Sequence, residues 1–245
     1  MPGSLDSITF LDKVDSTNNY AMGMVRNGLW KHGNACFAME QSEGKGTRGK
    51  SWNSERNHNI LLSIVAETGF LEIHQQFILS VIAALSCQEL FLKYAIEPVK
   101  IKWPNDILWN DRKAAGILIE NVIKGGRWHN SIVGIGMNIN QTSFSDPNAV
   151  SLKQITGKDF DAVGLAKELY HLFFNYFEII KTNPSSLLKQ YNCNLYKRGE
   201  KVRLRKDRMI FETVIEEVTA NGVLVTSDAQ PREFNYGEIQ WILNY

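Results

Sequence analysis

VKIKWPNDILWNDRKAAGILIENVIKGGRWHNSIVGIGMNI, residues 99–139, holds three β-rich runs in quick succession. VKIKW (99–103) is broken by Pro104, a second run extends from Lys113 to Ile123, and RWHNSIVGIGMNI (127–139) follows Gly125-Gly126. Runs joined by a Gly-Gly pair form a hairpin, and strands joined by so short a turn are antiparallel. Asn110-Asp111 marks another turn just before the second run. The chain is therefore organised around a largely antiparallel sheet.

On the N-terminal side, ITFLDKV near 8–14 is strand-like, and a helix starts at Ser16 or Thr17 and stops at Gly28. Strands follow at 35–39 and 60–66, with a loop from Gln41 to Asn59 between them. Phe77, Val81, Ala84 and Leu85 recur at helical spacing and predict an amphipathic helix over 74–94, covering one face of the sheet. On the C-terminal side, helical patterns occupy 161–181 and 184–192, the second opened by Pro184-Ser185. After Tyr191 the pattern changes to short alternating segments, VRLR, FETVIEEV and VLVTS, with an Asn221-Gly222 hairpin turn. The expected class is α+β, with a larger unit at 1–193 and a small all-β unit at 194–245, of a size for a small barrel.

The 245 residues are 44% hydrophobic and 22% charged, which supplies a core and excludes disorder and coiled coil. A formal net charge of +1 leaves no global field for polyanions, so contacts to phosphate must be local. The opening MPGSLDSITF is not an export signal, and the most apolar run, FILSVIAALS at 77–86, is shorter than a membrane span. Cys36, Cys87 and Cys193 are odd in number and form no CxxC, so neither a disulfide framework nor a zinc site is expected. A reducing, cytoplasmic setting fits these features.

EQSEGKGTRGKSWNS at 40–54 alternates Gly44, Gly46 and Gly49 with Lys45, Arg48 and Lys50. Glycines let backbone N–H groups approach an anion while the cations neutralise it. Gly44 to Ser51 also satisfies G-x-x-x-x-G-K-[ST], but a P-loop needs a helix leaving directly from Lys50-Ser51, and none is available before the next strand. In 102–121, Lys102 and Lys113 sit on neighbouring strands, with Pro104-Asn105-Asp106 breaking the chain beside one and Ala114-Ala115-Gly116 leaving room beside the other. These lysines also suit the plain role of edge-strand charges. In VGIGMNIN (133–140), Gly134 and Gly136 share a strand face on which a flat group could pack, with Asn138 next in line.

Taken together, these segments resemble biotin protein ligase, which activates biotin with ATP and attaches it to a lysine of a carrier protein. The resemblance runs from Ser16-Thr17-Asn18 through Gln41, GKGTRGKSW, KWPND, Arg112-Lys113 and Ala115-Gly116-Ile117-Leu118 to GIGMN and the small β unit. The family's basic loop is usually GRGRxGRxW. Here Lys45 and Lys50 replace arginines, and Thr47 stands where an arginine is expected, followed by Arg48. The resemblance implies a class II aminoacyl-tRNA-synthetase-like catalytic domain and a C-terminal SH3-like barrel. Too few residues precede Ser16 for a helix-turn-helix repressor unit, so the single-function form without DNA binding is expected.

By the same resemblance, Ser16, Thr17, Asn18, Gln41, Lys45 and Gly116 contact biotin. Gly44, Gly46, Arg48, Lys50, Trp52, Asn105, Asp106, Lys113 and Asn138 contact ATP or the adenylate. Lys113, Arg48 and Lys102 are the candidate catalytic cations, and Asp106 is nominated as base for the transfer step. Biotin, ATP with Mg²⁺ and a biotin carboxyl carrier protein domain are the implied partners, with no dedicated metal cage. An exposed strand edge could pair with the carrier or make a homodimer. Two other readings stay open. A lipoate or octanoate ligase has a similar catalytic domain, and KRGEKVRLRKDR at 197–208 carries seven basic residues against two acidic, as a nucleic-acid-binding module would.

Overall fold

The computed structural model describes residues 7–95, 98–228 and 230–242. The first six residues, the opening of the reading against an export signal, lie outside them. So do the last three of the small β unit.

The larger sheet contains β1 (Ile8–Leu11), β2 (Ala35–Ala38), β3 (Ile60–Glu67), β4 (Val99–Lys102), β5 (Asp106–Trp109), β6 (Arg112–Lys124) and β7 (Arg127–Met137). Their order is β1-β2-β3-β7-β6-β5-β4. Only the β1–β2 pair is parallel; the rest are antiparallel, as the Gly125-Gly126 and Asn110-Asp111 turns require. Both residues of each turn have positive φ, the backbone of a tight hairpin turn. The chain breaks after β4 at the cis Trp103–Pro104 bond and resumes as β5, a separate strand between the VKIKW and Lys113 runs.

The two faces of the sheet are covered unequally. Ala35, Phe37, Leu62, Ile64, Val133 and Ile135 face a large apolar cluster shared with α2 (Phe77–Leu92), α4 (Ala162–Ile180) and α5 (Pro184–Cys193). Cys36, Val65 and Ile132 face the opposite way, into a small cluster with Ala21 of α1 (Thr17–Arg26). Helix α2 corrects the amphipathic expectation: twelve of its sixteen residues are buried, because α4 and α5 pack against it in addition to the sheet. By length and apolarity Ile73–Leu92 would pass for a membrane span, yet it is the central core helix here. Each fully buried Leu, Ile or Phe contributes about 1.5–3 kcal/mol, so this helix anchors the fold. Helix α4 starts at an Asp161 cap that accepts from Val163 N, and α5 has Pro184 at its first turn after the Asn183 cap. A short helix unseen in the sequence pattern, α3 (Leu152–Thr156), is closed by a Ser151–Gln154 capping box and by Gly157 at φ 73°.

Strands β8 (Lys201–Lys206), β9 (Met209–Val218), β10 (Leu224–Ser227), β11 (Pro231–Phe234) and β12 (Gln240–Ile242) form a second, antiparallel sheet in the order β11-β10-β9-β8-β12. The Asn221-Gly222 turn joins β9 to β10, with Gly222 at φ 80°. A Cβ there would run into the Phe77 ring, and Gly222 O accepts from Trp103 Nε1 at 3.0 Å, so this turn is clamped against the larger unit. Leu204, Ile215, Val218, Leu224 and Phe234 belong to the same apolar cluster as α2.

Candidate functional site

On the α1 side of the sheet, helix α1 covers only part of the surface, and a cleft of about 310 Å³ occupies the rest. Its floor is set by strand register: Ser63 pairs with Gly134 and Gly134 with Leu118, while Leu61 pairs with Gly136 and Gly136 with Gly116. Glycines in the middle of two strands leave a trough where side chains would otherwise stand.

One end of the trough is a buried polar network. Ser16 is the N-cap residue of α1 but makes no capping bond with its side chain, and it lines the cleft. Thr17 donates to Gln41 Oε1 from both its backbone N–H (2.8 Å) and its hydroxyl (3.0 Å). The Ser63 hydroxyl lies 2.8 Å from Thr17 Oγ1 and 2.6 Å from Asn18 Oδ1. Asn18 Nδ2 donates to Leu118 O at 3.3 Å and to Glu120 Oε2 at 2.8 Å. A Cβ on Gly134 would strike the Asn18 side chain, so the glycine is what admits Asn18. Beneath, Cys36 Sγ donates to Thr17 O at 3.4 Å, and burial pushes its thiol up to about 12, keeping it a protonated donor.

The basic loop is an ordered hairpin over the trough. Ser42 N and Glu43 N bond Val14 O and Asp15 O, Lys45 bridges Ser51, and Trp52 N donates to Gly44 O at 2.8 Å. The tip, Thr47–Gly49, is a single 3₁₀ turn with Arg48 and Gly49 at φ 59° and 74°. No helix leaves Ser51, which excludes the P-loop arrangement. Lys45 Nζ donates to Asn19 Oδ1 at 2.5 Å, and Asn19 bonds Asp15, so the loop is tethered to the start of α1. Lys45, Gly46, Thr47 and Lys50 line the cleft. Arg48 is not among the lining residues; its guanidinium lies against Gly237, where an added Cβ would be 3.8 Å from Cζ. Gly44 packs on Trp52 and Gln41 and acts on the loop's shape.

Lysines and one carboxylate meet at the other end. Asp106 Oδ1 is 2.8 Å from Lys113 Nζ, and Oδ2 is 3.5 Å from Lys102 Nζ. Burial lowers the Lys102 amine from its ordinary value despite Asp106, with Lys113 and Lys50 adding repulsion. Trp241 of β12 stands 5.9 Å from that amine. Asn105 secures the bend by exchanging bonds with Ile117, from Nδ2 to Ile117 O (3.1 Å) and from Ile117 N to Asn105 O (2.9 Å).

Trp52 divides this cleft from a second of about 410 Å³. Its ring lies on Gly116 and Gly136, where an added Cβ would collide with it, and Lys113 Nζ is 5.4 Å from the ring centre. The flat group that the glycine face admits in this structure is thus the protein's own indole. Asn138, Gln141, Phe144, Asp146 and Ala149 line the second cleft. Gln141 Oε1 accepts from Asn59 Nδ2 (2.6 Å) and Glu55 N (3.0 Å), which fixes that wall.

Of the residues named from sequence, Arg48, Gly44 and Asn138 stand apart from the first cleft's lining, and the remainder come together there. Sequence reading missed Ser63, Glu120, Asp111, Asp146 and Trp241. Ser63 had a signal, the one polar residue in the apolar run ILLSIVA at 60–66, and Asp146-Pro147 is a turn pair. Among the described residues no group of three or more His, Cys, Asp or Glu is gathered as a metal site.

The sequence model described as "Biotin/lipoate A/B protein ligase family" matches residues 10–138, more than half of the chain. The bifunctional ligase/repressor BirA of Escherichia coli is 36% identical over 143 residues, 56% of this chain and 42% of that protein. The biotin–[acetyl-CoA-carboxylase] ligase of Paracoccus denitrificans is 38% identical over 136 residues, covering 53% of each chain. The chain thus spans about half the length, or less, of these curated relatives. Among solved structures, the Aquifex aeolicus biotin protein ligase in complex with biotin and ATP superposes with TM-score 0.78 at 23% identity, covering 95% of this chain and 97% of that one. The Leishmania major biotin protein ligase in complex with biotinyl-5-AMP gives TM-score 0.65 at 26% identity, covering 93% and 98%.

Proposed function

The chain belongs to the biotin/lipoate A/B protein ligase family, and on that premise we propose that it is a biotin protein ligase. It joins the biotin carboxylate to the α-phosphate of ATP, releasing pyrophosphate. It then passes the biotinyl group from biotinyl-5′-AMP to a lysine of a biotin carboxyl carrier protein domain. The observation that carries this reading is the trough itself, with hydroxyl and amide groups at one end and Lys113, Lys102 and Asp106 at the other.

Biotin's ureido ring offers one carbonyl and two N–H groups, matched by the short polar side chains of Ser16, Thr17, Asn18 and Gln41. A lipoyl or octanoyl group offers no hydrogen-bonding partner there and would strand those groups dry, which costs free energy. This asymmetry favours biotin over lipoate. The nucleic-acid reading is weakened by internal ion pairs: Lys197, Lys201 and Lys206, three of its seven basic residues, meet Glu200, Glu212 and Glu238.

Both reactants of the first step are anions, so charge neutralisation and placement are the main demands on the protein. A carboxyl like that of Glu titrates near ~4.3, so biotin needs no base at neutral pH. Lys113, at the junction of the two clefts, bridges carboxylate and α-phosphate as charge moves between them. Lys50 and Lys45 hold phosphate oxygens, and the loop shields the mixed anhydride from water. The nucleobase takes the second cleft beside Trp52 and Asn138. Mg²⁺ arrives on the triphosphate as part of the substrate.

The finer architecture we assign is a class II aminoacyl-tRNA-synthetase-like domain at 1–193 and an SH3-like β unit at 194–245. Three free cysteines, two of them buried, support a cytoplasmic setting. At the edge strand β4, Ile101 already bonds Asn194 O (3.0 Å) and Tyr196 N (2.8 Å), so the edge we assign to a carrier or a second copy is the opposite one, β1. Incubation with radiolabelled biotin, ATP-Mg²⁺ and acceptor domains tests the whole reading. Label on the acceptor lysine is expected, and a folded enzyme that labels none of several acceptors overturns it.

A further inference from the structure

Lys113 is held by its backbone as much as by Asp106. Strand β6 pairs with β5 at Leu108↔Lys113 and Trp109↔Arg112, but its ladder to β7 begins only at Ala115↔Met137. The far edge at residues 112–114 has therefore run past the end of β7, leaving backbone groups that need other partners. Residues 148–150 take that place. Lys113 N donates to Asn148 O at 2.6 Å, and Lys113 O accepts from Val150 N at 2.9 Å and from Asn138 Nδ2 at 3.2 Å. Arg112 Nη2 donates to Ala149 O at 2.6 Å. The segment is preset by an Asx turn, in which Asn148 N bonds Asp146 Oδ1 (2.9 Å) and Ala149 N bonds Asp146 O (3.1 Å).

This splint also faces a ligand site. Asp146 and Ala149 line the second cleft, and Asp146 and Lys113 line both. We propose that Arg112 is a positioning residue: its guanidinium docks the 146–150 segment on the open edge of β6, so that the placement of Lys113 depends on what fills the second cleft. The guanidinium makes a charge-assisted bond to a carbonyl, which suits it to hold a segment that a neutral side chain would release. The inference rests on the proposed function for its kinetic part only.

Arg112→Ala is expected to lower kcat for biotin-dependent pyrophosphate release roughly tenfold or more, since small misplacements of a reacting group cost that much. Affinity for biotin without ATP should be unchanged, because the polar end of the trough is remote from Arg112. Arg112→Lys, which keeps the charge and a donor, should recover most of the rate, and Arg112→Gln replaces Arg112→Ala if that variant does not fold. Independently of activity, hydrogen exchange at the Lys113 and Val150 amides should quicken in the variant. In the wild type, a non-hydrolysable ATP analogue should slow it. Equal kcat in wild type and Arg112→Ala, or equal exchange at those amides, overturns the positioning role. A wild type that releases no pyrophosphate contradicts the proposed function instead, and the exchange measurement then decides the splint alone.

Discussion

At Asp106 two ammonium groups share one carboxylate, one on each oxygen. Holding Lys113 is the role these contacts describe, and the base role nominated from sequence remains a proposal. Lys113→Ala should reduce adenylate formation by about 10²-fold or more with the fold intact, as loss of one preorganised electrostatic contact does. A folded variant within threefold of wild type would make Lys113 a plain edge-strand charge. The loop cations separate in the same way. Lys50 lines the trough and Arg48 turns toward Gly237. Lys50→Ala should therefore speed adenylate escape, read as biotin on bystander lysines, while Arg48→Ala should leave it near wild type. Residue types and spacing singled out Lys113 in the sequence, the resemblance to biotin protein ligase supplied Thr17 and Gln41, and all three line the first cleft. Arg48, named from sequence as a phosphate-gripping cation, stands outside the first cleft's lining, and its backbone dihedral of φ 59° is something composition does not announce.

Among elements, the glycine-floored strands are the most exacting. Gly134→Ala places a methyl where the Asn18 amide sits, so biotin affinity should fall roughly tenfold, the loss of about one buried hydrogen bond. Calorimetric titration with biotin reads this directly, and an unchanged Kd would remove Asn18 from the site. The basic hairpin is tied at Lys45–Asn19 and Lys45–Ser51, yet its tip is held by a single turn. Cleavage after Arg48 or Lys50 by trypsin should slow when biotin and ATP are both present, since a phosphate gives the hairpin's cations and backbone amides one common partner. Equal cleavage with and without ligands would contradict the gripping role. Strand and hairpin signals placed most of the sheet correctly, because Gly125-Gly126, Asn110-Asp111 and Asn221-Gly222 are local instructions. Helix α2 was legible as a helix and misjudged in its surroundings: what packs against it besides the sheet comes from α4, some seventy residues on, beyond the reach of local periodicity.

For the molecule as a whole, His32 ties stability to pH. Its Nδ1 accepts from Glu67 N at 3.1 Å, and its ring packs on Phe174 and Phe177 at 5.3 and 4.7 Å. Burial lowers its pKa below the ordinary 6.5, with Lys181 adding to the shift and Glu67 and Glu178 opposing it. The folded state therefore binds fewer protons than the unfolded chain below that pH. Stability is full above 6.5, declines as pH falls toward the folded value, and levels beneath it. Thermal unfolding of wild type and His32→Gln between pH 8 and 5 should show a fall specific to the wild type, and parallel curves would exclude the imidazole as its source. The central claim, that the trough is built for biotin, is tested most directly by pyrophosphate release from ATP-Mg²⁺ with biotin, lipoate, octanoate or no acid. Release with biotin alone is the predicted result, and release with lipoate or octanoate but not biotin would contradict the account.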